Sequence, residues 1–148
     1  MQLKQTGKLA PRTKPWQLIR DAIHDLSRQE KCKSVVIDMS DWHDGCPGRR
    51  CHQCLAGVVM SRQLGIDTNS WTVPEDFPEA ITSRLHALDA FRLGCVRQAY
   101  IFLGVRLPPG VPGTVSIPGY RDNPSEFKRA LLELADQLEA AHRSAKER

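Results

Sequence analysis

Between residues 104 and 119 stand Gly104, Pro108, Pro109, Gly110, Pro112, Gly113, Pro118 and Gly119. No helix interior or central strand tolerates that density, because proline removes an amide donor and glycine carries the largest ordering entropy. Regular structure must therefore be built before residue 105 and after residue 122. A connection of this length within a small chain is expected to be functional or disordered.

Elsewhere the apolar spacing is helical. Pro15 suits a first helical position, and Trp16, Ile19, Ile23 and Leu26 form one stripe behind it, ending near Gln29–Lys31. Ser34 to Met39 is a β-branched run fit for one buried strand. Asp41 to Arg50 reads as loop, and from Cys51 the pattern turns helical, with Leu55, Val58, Val59 and Leu64 on one face and Gly65 as the stop. Pro78 to Leu93 and Cys95 to Leu103 predict two more helices, ended by Gly94 and Gly104. Asn123-Pro124-Ser125-Glu126 reads as a cap, a proline at N1 and a capping-box glutamate, followed by Phe127, Leu131, Leu134, Leu138 and Ala141 on the buried face.

The expected class is mainly α, about five helices with one or two short strands, or α+β if residues 105–120 add a hairpin. Residues 1–14 hold Lys4, Lys8, Arg12 and Lys14 without an acid, and are expected to be a flexible basic arm; residues 15–148 are expected to form one globular domain. The 148 residues are 41% hydrophobic and 26% charged, enough for one core. No run approaches the roughly 20 apolar residues of a membrane span, and no apolar signal segment opens the chain, so no membrane partner is expected. The formal charge of +4 is too mild to demand nucleic acid.

Cys32, Cys46, Cys51, Cys54 and Cys95 are odd in number, which argues against a disulfide framework and for the reducing cytosol. His43, Cys46, Cys51 and Cys54 offer a tetrahedral zinc ion its four ligands, with His52 as a substitute for His43. A second reading is thiol chemistry: Cys51 at a helix N-terminus would gain thiolate character and react faster than Cys32 or Cys95. A third is plain packing, since cysteine behaves as a small buried hydrophobe. Asp38, Asp41, Asp44 and Gly45 do not fit a calcium loop and read as a solvated acidic turn. Nucleotide-hydrolase, dinucleotide and zincin motifs are absent from the sequence.

Arg92, Arg97, Arg106 and Arg121 flank the Pro/Gly-rich segment, and Arg49-Arg50 precede Cys51. Arginine forks suit an anion such as phosphate, and Trp42, Trp71 or Tyr120 could stack on a base.

Asp38-Met39-x2-Trp42-His43 with Cys51-x2-Cys54-Leu55-Ala56-Gly57-Val58-Val59-Met60 resembles a family of small uncharacterised bacteriophage and prophage proteins, whose pattern is D-M-x2-W-H followed by C-x2-C-L-A-G-A-V-M. Phe91-Arg92-Leu93-Gly94 matches the turn that often follows, and the likeness spans roughly residues 35–140. Val58 replaces the commoner Ala, and Cys46 lies outside the motif.

The resemblance implies a phage-encoded, non-enzymatic accessory protein acting by binding in the host cytoplasm. It would inhibit host defence by sequestering a small anionic nucleotide signal or by blocking a host protein. Trp42, His43, Arg97, Arg106 and Arg121 are the expected ligand contacts. The rival is a zinc-stapled nucleic-acid-binding module, with a thiol or redox enzyme behind it; a homo-oligomer is a further expected partner state.

Overall fold

Pro15 opens α1 (Pro15–Gln29), where its fixed φ matches the helix and its missing donor has no role. A computed structural model of the chain describes residues 13–146, so the basic arm expected over 1–14 lies outside the described residues apart from Thr13 and Lys14. The buried face of α1 is Leu18, Ile19, Ala22, Ile23 and Leu26, with Asp25 and Gln29 beside them. The stripe is thus turned away from Trp16, which is half-buried and leans on the His142 ring at 5.0 Å.

Three short strands follow: β1 (Val35–Ile37), β2 (His43–Asp44) and β3 (Cys51–Gln53). Their spatial order is β1-β3-β2, with β3 parallel to β1 and antiparallel to β2. Cys51 therefore does not open a helix, as its sequence context suggests. Its N–H goes to the Ser34 carbonyl at 2.7 Å, and Gln53 accepts from the Asp38 N–H at 2.8 Å. Ladders on both edges outweigh the weak helix preference of three residues.

α2 (Leu55–Gln63) begins four residues later, with Cys54 as its cap and the Cys54 Sγ accepting the Gly57 N–H at 3.5 Å. Gly65 takes the left-handed conformation at its end, and the Ile66 N–H returns to the Met60 carbonyl at 3.1 Å.

A 3-10 turn (Pro74–Asp76) leads into α3 (Glu79–Arg92), and α4 (Val96–Leu103) ends at the left-handed Gly104. α5 (Pro124–Lys146) begins on half of the expected capping box. Asn123 Oδ1 accepts the Glu126 N–H at 3.2 Å, but the Glu126 carboxylate turns to Arg129 at 2.8 Å instead of reaching back.

Residues 105–122 hold no helix or strand, yet they are laid down in order. Val115 N–H donates to Gly94 and Arg97 N–H to Gly113, while Leu107, Val111, Val115, Ile117 and Tyr120 pack on the core. No hairpin forms there among the described residues. Among the described residues, five helices and one three-stranded sheet make the fold mainly α with a small β element. All five helices feed one hydrophobic cluster, led by Phe91, Tyr100, Phe127, Leu55 and Leu131.

Candidate functional site: a groove beside the sheet edge

Side-chain alternation along β3 decides where the thiols and imidazoles go. Cys51 and Gln53 point inward and are buried, whereas His52 points to the other face. His43 is 1% exposed and its Nδ1 lies 2.8 Å from the Ser70 carbonyl, which fixes the proton on that nitrogen. The Cys51 Sγ sits 3.8 Å from both ring nitrogens, a long contact shared between them. Burial pushes the Cys51 thiol up and the His43 imidazole down, so the pair is neutral at pH 7. Cys54 is closed in against the Trp42 carbonyl, and burial raises its thiol to about 11. Cys46 is exposed on a surface turn.

Among the described residues, no three of His43, Cys46, Cys51 and Cys54 converge on a common point. The zinc set expected from spacing is not assembled, because strand alternation turns one member inward and the turn carries another outward. The expected thiolate at Cys51 also fails. It is fully buried within a strand, and the helix N-terminus is capped by Cys54, three residues on.

A different group does converge. Asp38, Asp41 and His52 bring their ligand atoms within 4.8 Å of one another and could hold a metal ion. Asp38 Oδ2 lies 3.1 Å from His52 Nδ1, and Asp41 Oδ2 lies 3.7 Å from it. Asp38 is held down to about 2, first by the Ser40 hydroxyl and then by His52. Asp41 is pushed up by burial and by the neighbouring charges of Asp38 and Asp44. The acidic turn was visible in the sequence. Its partner was not, because a helix starting at Cys51 would have put His52 elsewhere.

Asp38 also lines a groove of about 610 Å³ along the outer edge of β1. Its walls come from three distant stretches: Val36 to Met39, Arg92-Leu93, and Ile117 to Phe127. Arg121 is exposed there and makes no hydrogen bond or ion pair among the described residues. Arg92 gives its Nε to Asp89 at 2.6 Å, and its terminal nitrogens have no partner among the described residues.

The Tyr120 ring stands edge-on to Phe127 at 5.4 Å, and its hydroxyl donates to Glu30, which also accepts from Lys128 Nζ at 2.6 Å. Burial and the Glu30 charge both push the phenol up, so it stays a protonated donor. The ring is anchored before any ligand arrives.

No family model, curated protein or solved structure matches the chain.

Of the ligand contacts expected from the sequence, only Arg121 lines this groove. Trp42 turns to α3 and meets His86 edge-on at 5.5 Å, and His86 stacks on Phe102 at 5.3 Å. His43 is buried against Ser70 instead of sharing a patch with Trp42. Arg97 lies across Gly113, where an added Cβ would meet its Nη2 at 3.2 Å, and Arg106 is exposed outside the groove. Trp42 precedes β2 and turns to α3 while His43 is buried within the strand, and that is why the two share no exposed patch. Arg92 and Tyr120 carried a signal as an arginine and an aromatic flanking the Pro/Gly segment. Leu93, Ile117 and Phe127 carried none, since any core position looks alike in sequence.

Proposed function

We propose that this chain is a binding protein for a small phosphate-bearing molecule, seated in the groove between β1 and residues 117–127. The observation that carries the reading is Arg121, a guanidinium without a partner among the described residues, in a groove of about 610 Å³ whose other walls are mainly apolar and aromatic, with Asp38 and Arg92 among them. A guanidinium fork meets phosphate oxygens through charge-assisted bonds worth about 1.5–3 kcal/mol each. Arg92 adds a second positive charge, and the anchored Tyr120 and Phe127 supply apolar surface at little ordering cost. The setting drawn from the motif resemblance is a phage-borne accessory protein in the host cytoplasm, where capture of a phosphorylated signal needs no chemical step.

Calorimetric titration with nucleoside monophosphates and ribose 5-phosphate tests the reading. Binding weakened about tenfold or more by Arg121→Ala is the expected outcome. Flat heats for every phosphate ester would overturn it.

A metal ion at Asp38, Asp41 and His52 is a second reading, favoured by their convergence within 4.8 Å. Two carboxylates and one imidazole suit zinc, the ion expected from the sequence, with remaining positions left to water. Zinc titration of the purified chain should give one site that His52→Ala abolishes. Equal uptake by wild type and variant would remove it.

A further inference from the structure

We propose that the groove reads the edge of a nucleobase through the backbone of Ile37, so that its ligand is a nucleotide and not merely a phosphate ester. The inference rests on the groove being the ligand site.

It follows from the register of β1. In the parallel ladder Val35 pairs with Cys51, Val36 with His52 and Ile37 with Gln53. The Cys51 N–H goes to Ser34 and the Asp38 N–H to Gln53, so residues 34, 36 and 38 turn their amide groups toward β3. Residues 35 and 37 then turn theirs to the free edge, because successive residues of a strand alternate. The Val35 groups are already taken: its N–H donates to the Cys32 carbonyl and its C=O accepts from Arg50 Nη2 at 3.0 Å. The Ile37 N–H and C=O have no partner among the described residues, and Ile37 lines the groove.

A donor and an acceptor displayed side by side on one extended residue can be met by two kinds of group, an added peptide strand or the Watson–Crick edge of a base. Strand addition draws on several consecutive backbone pairs. This edge offers one residue, since Val35 is spent and the chain turns at Met39. A planar ligand that needs only two bonds fits; an extended peptide does not.

The rest of the lining agrees. The anchored Tyr120 ring and the side chains of Met39, Leu93 and Ile117 give a base apolar and aromatic surface to lie against. The Asp38 carboxylate repels an anion placed beside it and suits a sugar hydroxyl, which leaves the phosphate to Arg121 and Arg92.

The test compares the four nucleoside 5′-monophosphates, ribose 5-phosphate, and the best-binding nucleotide methylated on its Watson–Crick edge. Titrations are followed both by calorimetry and by the backbone amide signal of Ile37 in nitrogen-15 correlation spectra of the full chain. At least one nucleotide should bind about tenfold more tightly than ribose 5-phosphate, with the Ile37 amide shifting; methylation of the edge should return affinity to the sugar phosphate's level. Arg121→Ala should weaken nucleotide and sugar phosphate alike.

If ribose 5-phosphate binds as tightly as every nucleotide, or the Ile37 amide stays still while a nucleotide binds, base reading is overturned and phosphate binding stands. If nothing binds, both are overturned.

Discussion

Gly57 has no room for one more carbon. A Cβ built there would lie 1.5 Å from the Trp42 carbonyl oxygen, at the point where α2 passes under the turn that carries the Asp38–Asp41 group. The obstacle is backbone, so it cannot swing aside. Gly57→Ala should destabilise the chain by about 1–3 kcal/mol, or more if the turn cannot shift, read as a lower urea midpoint. A wild-type midpoint would mean that α2 does not press on that turn. The thiols give a second expectation at this scale. Cys46 is exposed and Cys32 is partly exposed with its thiol drawn down by Ser34, whereas Cys51 and Cys54 are buried with raised thiols. Iodoacetamide at neutral pH should label Cys46 and Cys32 within minutes and leave Cys51 and Cys54 until the chain unfolds, as read by peptide mass spectrometry. The sequence shows five cysteines and their spacing. Which are reactive depends on strand alternation at β3, and three residues of mixed propensity do not declare that they form a strand.

At the scale of elements the helices were largely legible and the sheet was not. α3, α4 and α5 lie close to where their apolar spacing, glycine stops and the Asn123-Pro124 start place them. In α1 the spacing gave the helix but missed its polar seam. Asp25 Oδ2 accepts from Gln63 at 2.6 Å, and Gln29 bonds Gln53, Ser61 and Arg62, so buried polar groups join α1 to α2 where apolar ones were expected. The Gln53 contact reaches β3, and the pairing of these groups is invisible in a single helix because each is acceptable only in the presence of its distant partner. The Pro/Gly segment was recognised as irregular, but its order rests on contacts that composition does not contain. Gly94 is central to these: its φ is +78°, and a Cβ there would fall 1.9 Å from the Val115 carbonyl oxygen. Gly94→Ala should loosen residues 105–122 from α3 and α4. Faster amide exchange across 113–117 is expected, with weaker binding of the phosphate ester proposed for the groove, since Ile117 to Arg121 wall it. Unchanged exchange in that stretch would show that the Gly94–Val115 contact does not hold it down.

For the molecule as a whole, the fold class was readable because helical periodicity repeats over many residues. The groove was not, because it is assembled from a strand edge, the end of α3 and the start of α5, which meet only in the folded chain. The same assembly sets the response to acid. His43 is buried and His142 partly so beside Tyr100, and burial lowers both imidazoles from their ordinary value, with Lys14 adding to the effect at His142. The unfolded chain takes up these protons near pH 6.5 while the folded chain resists them, so the unfolded state holds more protons below that value. Stability should therefore be full above about pH 7 and decline as pH falls through about 6.5. Asp38 acts in the same direction at lower pH. Its folded value of about 2 lies below the usual carboxylate value, so its contribution is present above about pH 4 and is lost between there and about 2. Its side chain is one-third exposed, so solvent screening reduces this second step. Urea midpoints measured from pH 8 to pH 3 should show two declines. His43→Gln should flatten the upper one and Asp38→Asn the lower one, each without moving the other. A single decline insensitive to His43→Gln would place the acid sensitivity outside the β2 imidazole, and would mean that the ring is not sealed under the sheet.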